Sequence, residues 1–326
     1  MTTRQVLSLL LALVMGAAPL LAAAADFPIP NKPIRIVVGF PAGGGTDLQA
    51  RTVAQHLAPL LGVPVIVDNR PGAGTMLGAM EVVRSAPDGH TLMYTPASTL
   101  SQLPHTLATV KYDTFKDFTP VAQGALGPLV LVVHKSVPAT NVKELVAHAK
   151  AHAGQLNYVS QGVGTPAHIF GQMFARQAGI DIVHVPYKGA NDVAKDFLAG
   201  RVHLQFASSS AAVALARSGE VRMIAAVAPR RSALFPDLPT MSEQGISGVD
   251  IESWIGFVGP AGLEPKTTAR LAEAIAQVLA MPKVRDDFRS GGVDAVWLGP
   301  QDFARAIRES YQLWEKALAG INYTKE

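Results

Sequence analysis

From Pro33 onward the chain alternates short apolar runs with stretches whose apolar residues recur every three or four positions. The runs Ile34–Val38, Val63–Val67 and Leu92–Tyr94 predict strands. Between them, Asp47–Leu61 and Thr75–Ser85 predict helices, and in the first of these Ala50, Val53, Ala54, Leu57 and Leu61 share one face. Pro, Thr, Lys and Asp then interrupt the pattern from Ser101 to Pro120. A second series follows, with strands at Leu129–Val133, Leu156–Val159, Ile182–Val185, Val202–Phe206 and Met223–Val227. Its helices open at Asn141, where Glu144 completes a capping pair, and run over about Pro166–Ala178, Asn191–Ala199 and Ala211–Arg217. Beyond Arg230 the pattern gives a strand at Ile251–Val258 and helices at about Pro265–Ala280, Pro282–Ser290 and Pro300–Ala319. Leu271, Ile275 and Val278 mark an apolar face that needs a sheet to cover.

Strands that alternate with helices imply parallel sheets. The expected fold is therefore α/β with two lobes, each a mainly parallel sheet flanked by helices. About three strands are too few to bury the long C-terminal helices, so the chain should return to the first sheet after Val227. That gives one lobe from residues 26–122 plus 228–326 and another from 123–227, with crossings near Pro120–Leu129 and Val227–Arg231.

In open sheets of this kind, ligands sit beyond the carboxyl ends of the strands. The first strand leads into Pro41-Ala42-Gly43-Gly44-Gly45-Thr46-Asp47. Three glycines permit dihedrals that side chains forbid, and the helix start leaves N–H groups free at its positive end. Such a place suits an anion. The other strand ends give Asn69–Thr75, Thr95–Thr99 with Ser98, Ser160–Thr165 with Gly162 and Gly164, Pro186–Ala190, and Ala207–Ser210 with Ser208 and Ser209. These loops are rich in Gly, Ser and Thr and poor in paired acids and bases. They suit reversible capture of a small anion more than turnover. A donor to a charged group contributes roughly 1.5–3 kcal/mol, so a few of them are consistent with about micromolar affinity.

Other chemistry finds less support. No Lys follows Gly45 or Gly164, so the phosphate-loop pattern is absent, and Leu48 stands where a dinucleotide fingerprint needs glycine. His148 and His152 have helical metal-ligand spacing but no third ligand nearby, so no metal is expected. His168 lies one turn into its helix and could touch a ligand or pack against the loop. His184 reads as structural. Ser160 lacks a nucleophile elbow, because Tyr158 occupies the position of the first glycine. Asp47, Asp68 and Asp88 sit beside turn residues and fit capping roles. Arg70 could reach a carboxylate or form a surface ion pair.

Composition narrows the class. The 326 residues are 48% hydrophobic and 16% charged, enough for a large core. A net charge of +3, spread without a basic cluster, leaves no footprint for nucleic acid. The absence of cysteine excludes a zinc-thiolate site, a redox pair and a Cys nucleophile. Arg4, the apolar run Val6–Leu21 and Ala23-Ala24-Ala25 before Asp26 fit a cleaved secretory signal over residues 1–25, and hence the periplasm.

The segments Pro33-Ile34-Arg35 through Asp47, Asn69–Gly74, Pro87–Leu92, Asp117–Ala122, Ser160–Gly164, His184–Gly189 and Pro239-Thr240 form a known series. In order and spacing the chain resembles the periplasmic substrate-binding proteins of tripartite tricarboxylate transporters, the Bug or TctC type. The resemblance implies a two-lobed periplasmic binding protein of type II-like fold. It implies a receptor that holds a small organic carboxylate in the inter-lobe cleft and passes it to membrane permease subunits. It implies ligand contacts from Ala42 to Asp47, from Ser160 to Thr165 and from Ala207–Ser209. No cofactor and no catalysis are implied, and a monomer is expected. Three positions depart from the pattern. The loop Ala207-Ser208-Ser209 lacks the usual acid or amide, which argues against an amino-acid ligand. Thr75 stands where glycine is usual, and Gly39 where proline is common. A sensor feeding a membrane histidine kinase and a periplasmic hydrolase are the alternatives; the hydrolase would need a base beside Ser160.

Overall fold

The computed structural model describes residues 27–187 and 190–325. The segment 1–25, expected to be a cleaved signal, lies outside the described residues, as do Lys188 and Gly189 of the Pro186–Ala190 loop. In chain order the elements are β1 (Ile34–Val38), α1 (Gly45–Leu61), β2 (Val65–Asn69), α2 (Met76–Val83) and β3 (Thr91–Pro96). A wide helical turn, Ser98–Gln102, runs into α3 (Leu103–Thr106), followed by β4 (Phe118–Leu126) and β5 (Leu129–His134). Next come α4 (Val142–Ala151), β6 (Asn157–Ser160), α5 (Pro166–Ala178), β7 (Val183–Pro186), α6 (Ala190–Leu198), β8 (Leu204–Ser208), α7 (Ser209–Ala216) and β9 (Val221–Val227). The chain ends with β10 (Trp254–Pro260), α8 (Pro265–Ala280), α9 (Pro282–Ser290), β11 (Asp294–Leu298) and α10 (Pro300–Gly320).

The strands form two sheets, ordered β11-β4-β10-β3-β1-β2 and β7-β6-β8-β5-β9. In the first, β1 to β4 share a direction while β10 and β11 oppose them. In the second, only β5 opposes its neighbours. Both sheets are thus mixed, with a parallel majority of strands. β1 is buried on both faces, as its apolar run requires, with Arg35 the one half-buried position. Ile34, Ile36 and Val38 pack under α1 and α8, and Val37 packs with Phe303 and Ile307 of α10 on the other side. The stripes predicted on α1 and α8 are buried as read.

Two strands were not foreseen. β4 carries Pro120 and Gly124, which argue against a strand interior. Pro120 is accommodated at a register shift against Val258, and Gly124 sits under the rings of Phe257 and Tyr94. β11 is a short edge strand paired to β4 with an irregular register. The first sheet therefore gains three strands beyond β1 to β3.

The lobes join where β4 runs into β5 through Gly127 and Pro128. Gly127 N–H donates to the Ser253 carbonyl at 3.1 Å, which puts the return crossing beside the outgoing one. The expected crossing at Val227–Arg231 is displaced. The chain past β9 stays with the second sheet: Ala226 bridges Thr240, and Met241, Ile246, Val249 and Ile251 share a core with Leu131 and Ile224. Those apolar side chains hold residues 228–251 against the second sheet until Trp254 opens β10. α10 is a third link, with Phe303 and Ile307 in the first lobe's core and Trp314 and Leu318 in the second's.

Candidate functional site

Strand direction brings the loops after β1 and β3 from one lobe to those after β6 and β8 from the other. Two contacts fix the meeting. A Cβ on Gly45 would lie 2.8 Å from Ser210 Cβ, so the first turn of α1 touches the start of α7. On the other side, Gly164 O accepts from Gln102 Nε2 at 2.8 Å and from Thr106 Oγ1 at 3.0 Å.

Each lobe presents an open helix start at this seam. In α1 the first backbone bond is Leu48 N–H to Gly44 O at 3.0 Å. Gly44 offers no side-chain cap, so the N–H groups of Gly45, Thr46 and Asp47 precede any intrahelical partner. In α5 the first bond is Ile169 N–H to Thr165 O at 3.1 Å, Thr165 does not cap, and Pro166 has no N–H. That leaves the amide of Ala167 ahead of the first helical bond. Together the two helix starts make a positive, donor-rich seam.

Not every predicted residue faces it in the way expected. Ala42, Gly43 and Gly44 are exposed and Thr46 is half-buried. Asp47 is buried, and its carboxylate is fully occupied. Oδ2 accepts from Gly43 N–H at 2.8 Å and Arg51 Nε at 3.0 Å, and Oδ1 from Asn69 Nδ2 at 2.9 Å. Burial works against its charged form, and the bonds from Arg51, Gly43 and Asn69 outweigh it, so the carboxyl titrates below its ordinary range. Asp47 shapes the glycine loop from behind and also claims the Gly43 amide.

Ser160 is buried as well. Its Oγ lies 2.8 Å from His184 Nε2, takes Gly162 N–H at 3.1 Å and lies 2.9 Å from Gly162 O. Thr165 Oγ1 donates to the same carbonyl at 2.6 Å. His168 is buried, stacks on His184 with ring centroids 4.1 Å apart, and its Nδ1 accepts from Gly164 N–H at 3.1 Å. His184 stacks in turn on Tyr158 at 4.9 Å. Burial, then the neighbouring His168, push the His184 imidazole down to about 4. The His168 side chain packs against the loop and His184, one of the two roles open to it. The base that the sequence did not reveal beside Ser160 is thus His184. It is a weak base, and the Ser160 hydroxyl is committed to Gly162; the pair braces the loop.

Ser98 is half-buried at the start of the turn after β3. Ser208 is exposed, and its Oγ caps Ala211 N–H at 3.3 Å. Ser209 is buried at the crossing, where its N–H donates to Pro128 O at 3.1 Å. Gln102 and Thr106 were missed, and Ser210 was foreseen only as part of the Ala207–Ser210 loop. Their only signal was a place just past a strand end. Arg70 takes the bland role, with Nε 3.0 Å from Asp68 Oδ2. His148 and His152 stack at 4.2 Å, and no group of three potential metal ligands forms among the described residues.

A two-lobed α/β binding fold with helix starts facing across a seam defines a class of solute receptors. Residues 49–323 match the tripartite tricarboxylate transporter family receptor, and the chain belongs to that family. It is 34% identical to the UPF0065 protein in the gbd 5' region of Cupriavidus necator, over 94% of this chain and 92% of that one. The structure of R. palustris Rpa4515 with adipate superposes with a TM-score of 0.85 at 30% identity, over 91% of this chain and 99% of that one. MatC from Rhodopseudomonas palustris with bound malate gives 0.80 at 28% identity, over 89% and 100%.

Proposed function

We propose that this chain is a periplasmic receptor that captures a small organic carboxylate between its lobes and delivers it to the permease subunits of a tripartite tricarboxylate transporter. The observation that carries this is the pair of uncapped helix starts, α1 and α5, set on opposite lobes whose loops meet at Gly45–Ser210 and Gly164–Gln102. The adipate and malate bound by two structural neighbours support the ligand class. Residues 1–25 act as the export signal and are removed.

The ligand's carboxylates take the amides of Gly45, Thr46 and Ala167, with Ala42, Gly44, Ser98, Thr165 and Ser208 on the walls. Asp47, Ser160, Gly162, Gly164 and Ser209 hold the loops in shape. Closure is a population shift, since the ligand finds both sets of donors only when the lobes face each other. The receptor acts as a monomer, without a cofactor and without turnover.

A thermal-shift and calorimetric screen of residues 26–326 against di-, tri- and aromatic carboxylates tests this. A true ligand at about 100 times its Kd stabilises by roughly 2.7 kcal/mol. Stabilisation by no carboxylate, or release of product from one, would overturn the proposal.

A further inference from the structure

Gln102 closes the helical turn after β3 and is wholly buried. Its Nε2 donates to Gly164 O, which also takes the Thr106 hydroxyl. Two donors saturate that carbonyl, and they fix the Gln102 amide: turned over, it would set oxygen against oxygen. Oε1 is therefore a true acceptor, and it finds no donor among the described residues. A buried carbonyl without a hydrogen is disfavoured and takes any well-placed donor offered. The amide lies one turn past Ser98, against the loop that opens α5, on the seam where the lobes meet.

The donor could be an ammonium or a hydroxyl, and the surrounding charge separates them. Asp47 is the only fully buried carboxylate among the described residues, and Gly43, Arg51 and Asn69 occupy its oxygens. The loop Ala207–Ser210 carries no acid. A buried ammonium would find no counter-charge and bear its full desolvation penalty. A hydroxyl needs only what Oε1 supplies. The geometry points to Gln102 as a specificity residue: its Nε2 clamps the second lobe, and its Oε1 accepts a hydrogen bond from a hydroxyl of the bound acid. The receptor then selects hydroxy-carboxylates over their deoxy counterparts. This rests on the carboxylate-capture reading and sharpens it.

Titration calorimetry on residues 26–326 compares malate with succinate and citrate with tricarballylate, with adipate as a carboxylate that has no hydroxyl. The expected result is that the hydroxy acid of at least one pair binds about tenfold tighter or more. In Gln102→Met, loss of the Gly164 clamp weakens both members of the pair, but their ratio falls towards one. A merely structural Gln102 would leave the ratio intact, so an unchanged ratio in the variant overturns the assignment. Equal binding within both pairs also overturns it, as a bridging water on Oε1 would produce. Binding of adipate alone, or of none of the five, removes the hydroxyl inference; carboxylate capture falls only if the aromatic acids of the wider screen fail as well.

Discussion

Gly39 and Thr75 compete for one space. A Cβ on Gly39 would lie 2.7 Å from Thr75 Cβ and 3.1 Å from its Cα. Thr75 is a β-branched residue held at φ 89°, a left-handed conformation that glycine tolerates and threonine resists. It persists because Gly39 makes room and because Thr75 Oγ1 bonds to Thr99 Oγ1 at 2.7 Å. Gly39 and Thr75 are therefore coupled, one just past the end of β1 and the other at the start of α2.

The coupling is measurable by urea unfolding. Gly39→Ala alone should destabilise by about 1–3 kcal/mol through overpacking. Combined with Thr75→Gly, which empties the space and removes the left-handed strain, most of that loss should return. Strict additivity of the two substitutions would contradict the shared-space account.

Asp47 should behave as a brace. Asp47→Ala strands the Gly43 amide and removes the Arg51 ion pair, at a cost of about 2 kcal/mol in stability. The folded carboxyl titrates below its unfolded value near 3.9, so its stabilising contribution is present above that value and is lost as pH falls through the folded pKa. The stability profile of the wild type should therefore drop more steeply below about pH 4 than that of Asp47→Asn.

His184 gives a second and separate pH window. Its folded pKa of about 4 lies below the unfolded value near 6.5. Between these values the unfolded chain takes up a proton that the folded one resists, so stability is full above about pH 6.5 and declines towards pH 4. Denaturation midpoints across that range should fall in the wild type and fall less in His184→Gln, which keeps a polar partner for Ser160. Superimposable profiles would show that the imidazole is not held neutral by its site.

Much of this was legible along the chain, and the misses have physical causes. Periodicity located β1, α5, α8 and α9, because each presents an unambiguous apolar face and, in three of the four, a proline at the helix start. β4 was hidden by Pro120 and Gly124, whose tolerance depends on a bulge and on two aromatic rings supplied by β3 and β10. At the site, the glycine loops were visible as composition. The division of labour within them was not. Whether Asp47 faces a ligand or the Gly43 amide depends on where Asn69 lies, 22 residues away. That His184 meets Ser160 follows from the parallel register of β6 and β7, which local sequence does not fix.

Lobe closure should be most sensitive at Gly45 rather than at its neighbour Gly44. Gly44 has an ordinary φ of −75°, and a Cβ there meets only Pro41 O at 3.5 Å, so Gly44→Ala should leave the approach of the lobes unobstructed. A Cβ on Gly45 runs into Ser210 Cβ at 2.8 Å and Oγ at 3.0 Å across the seam. Gly45→Val should therefore lower affinity for any carboxylate ligand by tenfold or more in calorimetry, while leaving the midpoint of the unliganded chain within a few degrees. The obstruction is with Ser210 and not with the fold of α1, so the milder Gly45→Ala should be partly rescued by Ser210→Gly. Failure of that rescue would mean that the glycine serves its own loop's conformation and not the approach of the other lobe.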